Sequence, residues 1–239
     1  MAKQTEWLVF FYENNDFHRS HKFFKKGFKH CGVLSYDYLV LAGTQGGHGH
    51  HKTDRVLELC EQQMLPIVFF CEGGGGRPGD TDPSPAGSSG AGLSVRTFAT
   101  FGGLSGLIPI VGLTSGYCFA GNAALLGCCD VIIATKGSNI GMGGPAMIEF
   151  GGLGVFKPTE IGGLDVQIPN GVVDVLVENE TEAVRVAKKY LSYFQGSFLP
   201  MSAYINSCGN QLLLRGAVPE NRLRVYDMAN IINLIADTN

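Results

Sequence analysis

"SGYCFAGNAALLGCCD", residues 115–130, opens on small, flexible residues and closes as an apolar run that reads as a helix. At its centre stand Ala120, Gly121 and Asn122, where a buried helix would begin, and none of the three brings acid or base chemistry. A helix start presents N–H groups without an intrahelical partner and a partial positive charge. The backbone is therefore the candidate functional group of this stretch.

Two further turns share its character: "CEGGGGRPGD" at 71–80 and "GMGGPAMIE" at 141–149. Each of the three follows an expected strand or enters an expected helix. Glycine admits backbone conformations that other residues avoid and lets a ligand approach the main chain closely. Donors held in this way at the position where negative charge develops form an oxyanion hole. The competing use of the same glycines is tight helix–sheet packing.

Around these turns strands and helices alternate. "YDYLVLAG" (36–43) reads as a strand and "HKTDRVLELCEQQM" (51–64) as an amphipathic helix. "LPIVFFC" (65–71) is a short, wholly apolar strand of the kind buried in a covered sheet. A polar Gly/Pro/Ser loop follows at 72–92. Then come a helix near 93–101, the strands "IPIVGL" (108–113) and "DVIIAT" (130–135), and a short helix within "GMGGPAMIEFGGLG" (141–154). "ETEAVRVAKKYLSYF" (180–194) places Ala183, Val184, Ala187, Tyr190 and Leu191 close to helical spacing. "MANIINLIAD" (228–237) closes the chain as a helix. This order implies right-handed crossovers, a largely parallel sheet and one domain. The first 33 residues stand apart: "EWLVFFYENN" (6–15) could be a strand, and "HRSHKFFKKGFKH" (18–30) is basic and aromatic.

Composition narrows the function classes. With 45% hydrophobic and 16% charged residues in 239, the chain can bury a sizeable core. A formal net charge of −3 gives no reason to expect a nucleic-acid partner. The apolar stretches are broken by Gly or Pro before membrane-spanning length. Seven cysteines, an odd number without a Cys-x-x-Cys pair or secretory signal, fit reduced, buried thiols in a cytoplasmic protein. "GGGGRPGD" lacks the Gly-Lys-Ser/Thr ending of a P-loop. No dinucleotide fingerprint and no Gly-x-Ser-x-Gly elbow occur. His48, His50 and His51 in "GGHGHH" have no flanking Cys or carboxylate cluster, so no metal is expected. Cys118 lacks a base partner and reads as an inert thiol.

Taken together, the turns resemble the carboxyltransferase component of biotin-dependent acyl-CoA carboxylases, a branch of the crotonase-like superfamily. The resemblance runs collinearly over residues 34–239, leaving 1–33 as a divergent N-terminal segment. It rests on "SYDYLVLAGTQGG" (35–47), "LPIVFFCEGGGGRPGD" (65–80), "CFAGNAALLGCCDVIIAT" (118–135) and "SNIGMGGPAMIE" (138–149). It continues through "TEIGGLDVQIPNGVVDVLVENETEAVRVAKKYLSYF" (159–194) and "PENRLRVYDMANII" (219–232). The resemblance implies an α/β, crotonase-like spiral of ββα units with a largely parallel sheet covered by helices.

It also implies a mechanism. Family members hold acyl-CoA on one crotonase-like half and carboxybiotin, carried on a separate protein, on the second half of a neighbouring subunit. The biotin ureido nitrogen takes the α-proton, and the protein stabilises the thioester enolate through backbone N–H groups. Carried onto this sequence, those donors belong to Gly121 and Asn122. Ala120, the Gly74–Gly75 turn and the Gly143–Gly144 turn then line the acyl pocket. Asn122 stands where the family often has a second glycine, so its side chain is expected to narrow the pocket or add a donor.

The family's second half has no counterpart in "IADTN" or before it, so the expected partners are a chain carrying that half and a biotin carrier protein, in a hetero- or homo-oligomer. Two alternatives remain. A biotin-independent crotonase-like enzyme (decarboxylase, hydratase, cyclase or hydrolase) would need a side-chain acid or base, for which His48, His50, Glu72 and Glu149 are the candidates. A non-catalytic assembly subunit would keep the fold without the activity.

Overall fold

The computed structural model describes residues 10–11, 31–77, 79, 95–194, 211–221 and 223–236. The basic stretch 18–30 and most of the polar loop 72–92 lie outside them. The chain forms two compact units, Met1–Gln195 and Gly196–Asn239.

The first unit is built on a six-stranded sheet. In chain order its strands are β1 (Phe10–Phe11), β2 (Gly32–Ser35), β3 (Ile67–Phe70), β4 (Ile110–Thr114), β6 (Val131–Thr135) and β8 (Val175–Val177). They lie side by side in that same order, all parallel except β1. The crossovers carry α1 (Gly47–Gln63), α2 (Val95–Gly103) and α3 (Gly121–Leu126), while α6 (Glu180–Ser192) follows the last strand. A second, two-stranded parallel sheet pairs β5 (Tyr117–Phe119) with β7 (Asn139–Gly141). Helices α4 (Pro145–Phe150) and α5 (Leu164–Gln167) are short.

Every residue of β4 and β6 is buried, as continuous apolar runs in a sheet covered on both sides require. Alternate residues enter two cores. Leu34, Ile67, Phe69, Ile110, Ile132 and Ala134 join Leu57, Phe101, Leu125 and Leu126 on one face. Val111, Leu113, Val131, Ile133 and Val177 meet Ala183, Ala187 and Leu191 of α6 on the other. Two aspartates fix the register. Asp130 Oδ2 accepts the Ile110 N–H and Asp174 Oδ2 accepts the Ile132 N–H, both at 2.7 Å.

The strand expected at 36–43 is not one. Asp37 Oδ1 accepts the Leu39 N–H at 2.9 Å, Leu41 and Ala42 adopt positive φ, and Leu41–Gly43 is a 3-10 turn. The strand lies just before it, at Gly32–Ser35. The helix expected from residue 51 already begins at Gly47. The apolar run after Asn122 is helical for four residues only, to Leu126 at the end of α3. On α6, Ala183, Ala187 and Leu191 are buried as spaced, whereas Val184 faces solvent. Among the described residues no helix is long and apolar enough to cross a membrane.

In the second unit a 3-10 turn (Gln211–Leu213) leads into α7 (Leu214–Ala217). It ends with α8 (Met228–Ile235), whose start is capped by Asp227 Oδ1 accepting from the Ala229 N–H at 2.9 Å.

Phe69 is fully buried between Tyr36 and Phe101, with ring centroids 5.6 and 5.3 Å away. Phe69→Ala is expected to cost about 3–5 kcal/mol. At the centre of β4, a Cβ on Gly112 would stand 2.6 Å from Leu126 Cδ1 and 2.9 Å from Cys129 Sγ. Gly112→Val should cost about 1–3 kcal/mol through overpacking. Urea unfolding midpoints measure both; midpoints equal to the parent's would contradict this core.

Candidate active site

The three glycine turns meet at the junction of β5 and α3. Gly73 lies against β5 as an added strand residue. Its N–H donates to the Tyr117 carbonyl and its carbonyl accepts the Phe119 N–H, each at 2.8 Å. β7 pairs along the other edge of β5, and the Gly141 carbonyl accepts the Ala120 N–H at 2.9 Å. Gly144 sits against Phe119: a Cβ there would be in ordinary contact at 3.5 Å. Gly143 and Gly144 are half-buried and lead through Pro145 into α4.

Ala120 makes the turn from strand to helix at φ 51°, ψ −120°, a conformation that costs an L-residue on the order of 1–3 kcal/mol. Pairing on both edges of β5 and the packing of Gly75 hold it there. Gly75 adopts φ +87°, and a Cβ on it would stand 2.6 Å from Ala120 Cβ and 3.0 Å from Gly121 N. Only glycine meets both conditions. Beyond Ala120, α3 begins with Gly121 and Asn122. Among the described residues neither backbone N–H has a hydrogen-bond acceptor. The N–H of Gly74 is committed to the Ala42 carbonyl at 3.0 Å, and that of Gly75 to Asn122 Oδ1 at 2.9 Å.

That last bond corrects the expectation for Asn122. Its carboxamide is fully buried, so it neither narrows a pocket nor offers a donor outward. Besides accepting from Gly75, it donates through Nδ2 to the Gly43 and Glu72 carbonyls at 3.4 and 3.3 Å. A lone polar residue within an apolar run was the available signal.

The candidate acids and bases are distributed elsewhere. His48 and His51 are exposed on α1, and Glu149 is exposed on α4. His50 is buried, with Nδ1 2.9 Å from Thr97 Oγ1, and the Thr97 hydroxyl donates to Asp54. This link between α1 and α2 went unread, although His50 and Asp54 stand four residues apart on one buried helical face. Burial raises the thiols of Cys71 and Cys118 well above their usual range and that of Cys60 to about 11, so these cysteines are inert. Among the described residues no cluster of His, Cys, Asp or Glu could hold a metal ion.

Glu72 follows β3, and its Oε1 accepts the Ser115 N–H. Burial raises its carboxyl above the usual value, the hydrogen bonds from its own and the Ser115 N–H pull it back, and Glu180 adds to the rise. The folded protein therefore holds this proton more tightly than the unfolded chain. The stability it contributes is full below the unfolded carboxyl range and is lost as pH rises through the raised folded value. Glu72→Gln should thus melt above the parent at neutral pH, with the gap closing toward about pH 4. A gap that widens on acidification would reverse the assignment. Gly75→Ala should lower stability by about 1–3 kcal/mol, read in the same melts.

Residues 26–239 match the model of the carboxyl transferase domain family. Among curated proteins, the chain is 29% identical over 210 residues to an uncharacterized carboxylase, YngE, of Bacillus subtilis. It is 27% identical over 217 residues to the biotin-dependent long chain acyl-coenzyme A carboxylase beta4 subunit of Mycobacterium tuberculosis. Either alignment covers 86% of this chain and 40% of the relative, so the chain spans about two fifths of their length. Among solved structures, a single-chain, multi-domain long-chain acyl-CoA carboxylase superposes with a TM-score of 0.69 at 52% identity, covering 87% of this chain and 20% of that one. The transcarboxylase 12S subunit shares the fold, at a TM-score of 0.63 and 23% identity. With the family match covering residues 26–239, this chain belongs to the carboxyl transferase domain family.

Proposed function

We propose that this chain is the acyl-CoA-binding part of a carboxyltransferase and that it stabilises the thioester enolate formed during carboxyl transfer. The observation that carries the reading is the convergence of three glycine turns on the strained Ala120, immediately before two backbone N–H groups without an acceptor among the described residues. The N–H groups of Gly121 and Asn122 donate to the thioester oxygen as negative charge develops on it. Gly74, Gly75, Ala120, Gly143 and Gly144 line the acyl group.

Carboxybiotin, carried on a partner protein, supplies the carboxyl group and a ureido nitrogen that accepts the α-proton. The described residues suit that division of labour: His50 is tied to Thr97, Glu72 to the Ser115 N–H, and Glu149 is exposed, so none is assigned as the base. Carboxybiotin binding is assigned to the second crotonase-like half of the carboxyltransferase, in a cytoplasmic hetero-oligomer. The relatives named as long-chain acyl-CoA carboxylases make a long-chain acyl thioester the substrate to try first.

Gly121→Pro removes one donor at the first helical position, where proline is tolerated. Turnover should fall by about 10²–10³-fold while the folded variant still binds CoA. Unchanged turnover would sink the oxyanion role. Isolation of the native complex should bring down a carboxyltransferase-like second half and a biotinylated protein. If the chain instead turns over an acyl thioester alone and without biotin, the biotin-independent enzyme takes its place.

A further inference from the structure

We propose that the side chain of Asn122 is a positioning residue for this reaction, setting the glycine turn at 73–75 against the donors at 121 and 122. The inference rests on the oxyanion reading above and assigns to the carboxamide a task separate from the backbone N–H of the same residue.

Asn122 ties α3 to two segments remote from it in sequence. It binds the Gly43 carbonyl at the end of the 3-10 turn, the Glu72 carbonyl after β3, and the Gly75 N–H in the glycine turn. Both Nδ2 hydrogens and one Oδ1 lone pair are used. The orientation is determined by its partners: a flipped amide would set Oδ1 against two carbonyl oxygens and Nδ2 against an N–H. Space is reserved for it as well. A Cβ on Gly73 would stand 2.3 Å from Asn122 Nδ2 and 2.3 Å from the Gly43 carbonyl oxygen, so this glycine admits the carboxamide.

Asparagine is a poor helix former, and α3 has only six residues. A residue of this kind in the first turn of so short a helix acts through its tertiary partners. Because the carboxamide and the donor N–H belong to one residue, the clamp that holds Gly75 also fixes the N–H of Asn122. Gly75 in turn packs on Ala120 and the Gly121 nitrogen, closing the circuit. A misplacement of about 1 Å at such a site can cost about 100-fold in rate.

The test uses the assembled enzyme containing this chain. Asn122→Ala, and in parallel Asn122→Gly, which installs the residue the resembled family often has there, both keep the backbone donor and remove the clamp. Expected are a fall of about 100-fold in kcat with KM for acyl-CoA within about threefold, and faster amide exchange at residues 72–76. Unchanged kcat despite faster exchange, or KM rising in step with a lowered melting temperature, overturns the proposal. If neither variant folds, the parent decides: the Asn122 Nδ2 hydrogens and the Gly75 amide must both be protected from exchange, and fast exchange overturns it. Gly121→Pro separates the two readings. If it is active, the oxyanion role fails and the positioning role, which rests on it, falls too; if it is impaired while Asn122→Ala keeps its kcat, the hole is retained and the clamp alone is removed.

Discussion

The two hydrogen bonds between Gly73 and β5 are the constraint on which the rest of the site depends. They splice the end of a main-sheet strand to the small sheet, so the position of β3 dictates where β5 runs and where Ala120 must turn. Without that splice nothing would set the glycine turn after β3 against the helix after β5, more than 40 residues along the chain. With it, Gly75 lies on Ala120 and the amides of residues 121 and 122 acquire a fixed location relative to the turn after β3.

The candidate site is built by geometry more than by charge. Its polar side chains are turned inward: Asn122 onto two carbonyls and an N–H, Asn139 onto the Thr159 and Ile161 carbonyls at 3.3 and 2.9 Å, Gln167 onto the Ile140 carbonyl. Each ties separate stretches of backbone together. The thiols around them are held neutral by burial. In the proposed role the reacting oxygen meets the main chain, and main-chain dipoles held rigidly need little reorganisation when charge appears.

Much of the fold could be read from the sequence. Strands β3, β4 and β6 announce themselves as apolar runs, and α6 as a stripe capped by Asn179, whose Oδ1 accepts the Glu182 N–H at 3.0 Å. Residues 36–43 misled because Tyr and Val favour strands in composition, while the Asp37 side chain and two positive φ angles enforce a turn. The glycine turns were legible as turns, and the family resemblance pointed to residues 120–122. Their convergence was not visible locally, because it follows from the pairing of Gly73 with β5. The inward orientation of Asn122 likewise depends on carbonyls 50 and 79 residues away.

The burial of β4 and β6 on both faces has a consequence for biosynthesis. Among the described residues, the face bearing Val111, Leu113, Val131 and Ile133 is covered by α6, which the ribosome makes last among these elements. At ~5–20 residues per second, a nascent chain presents that uncovered apolar face for some seconds before residues 180–192 emerge. Any polypeptide cut short ahead of α6 keeps it exposed indefinitely, with parallel strands on offer to a neighbouring copy. Chaperone capture of the nascent chain, and intolerance of truncation ahead of α6, are thus built into the order in which this sheet and its cover are encoded.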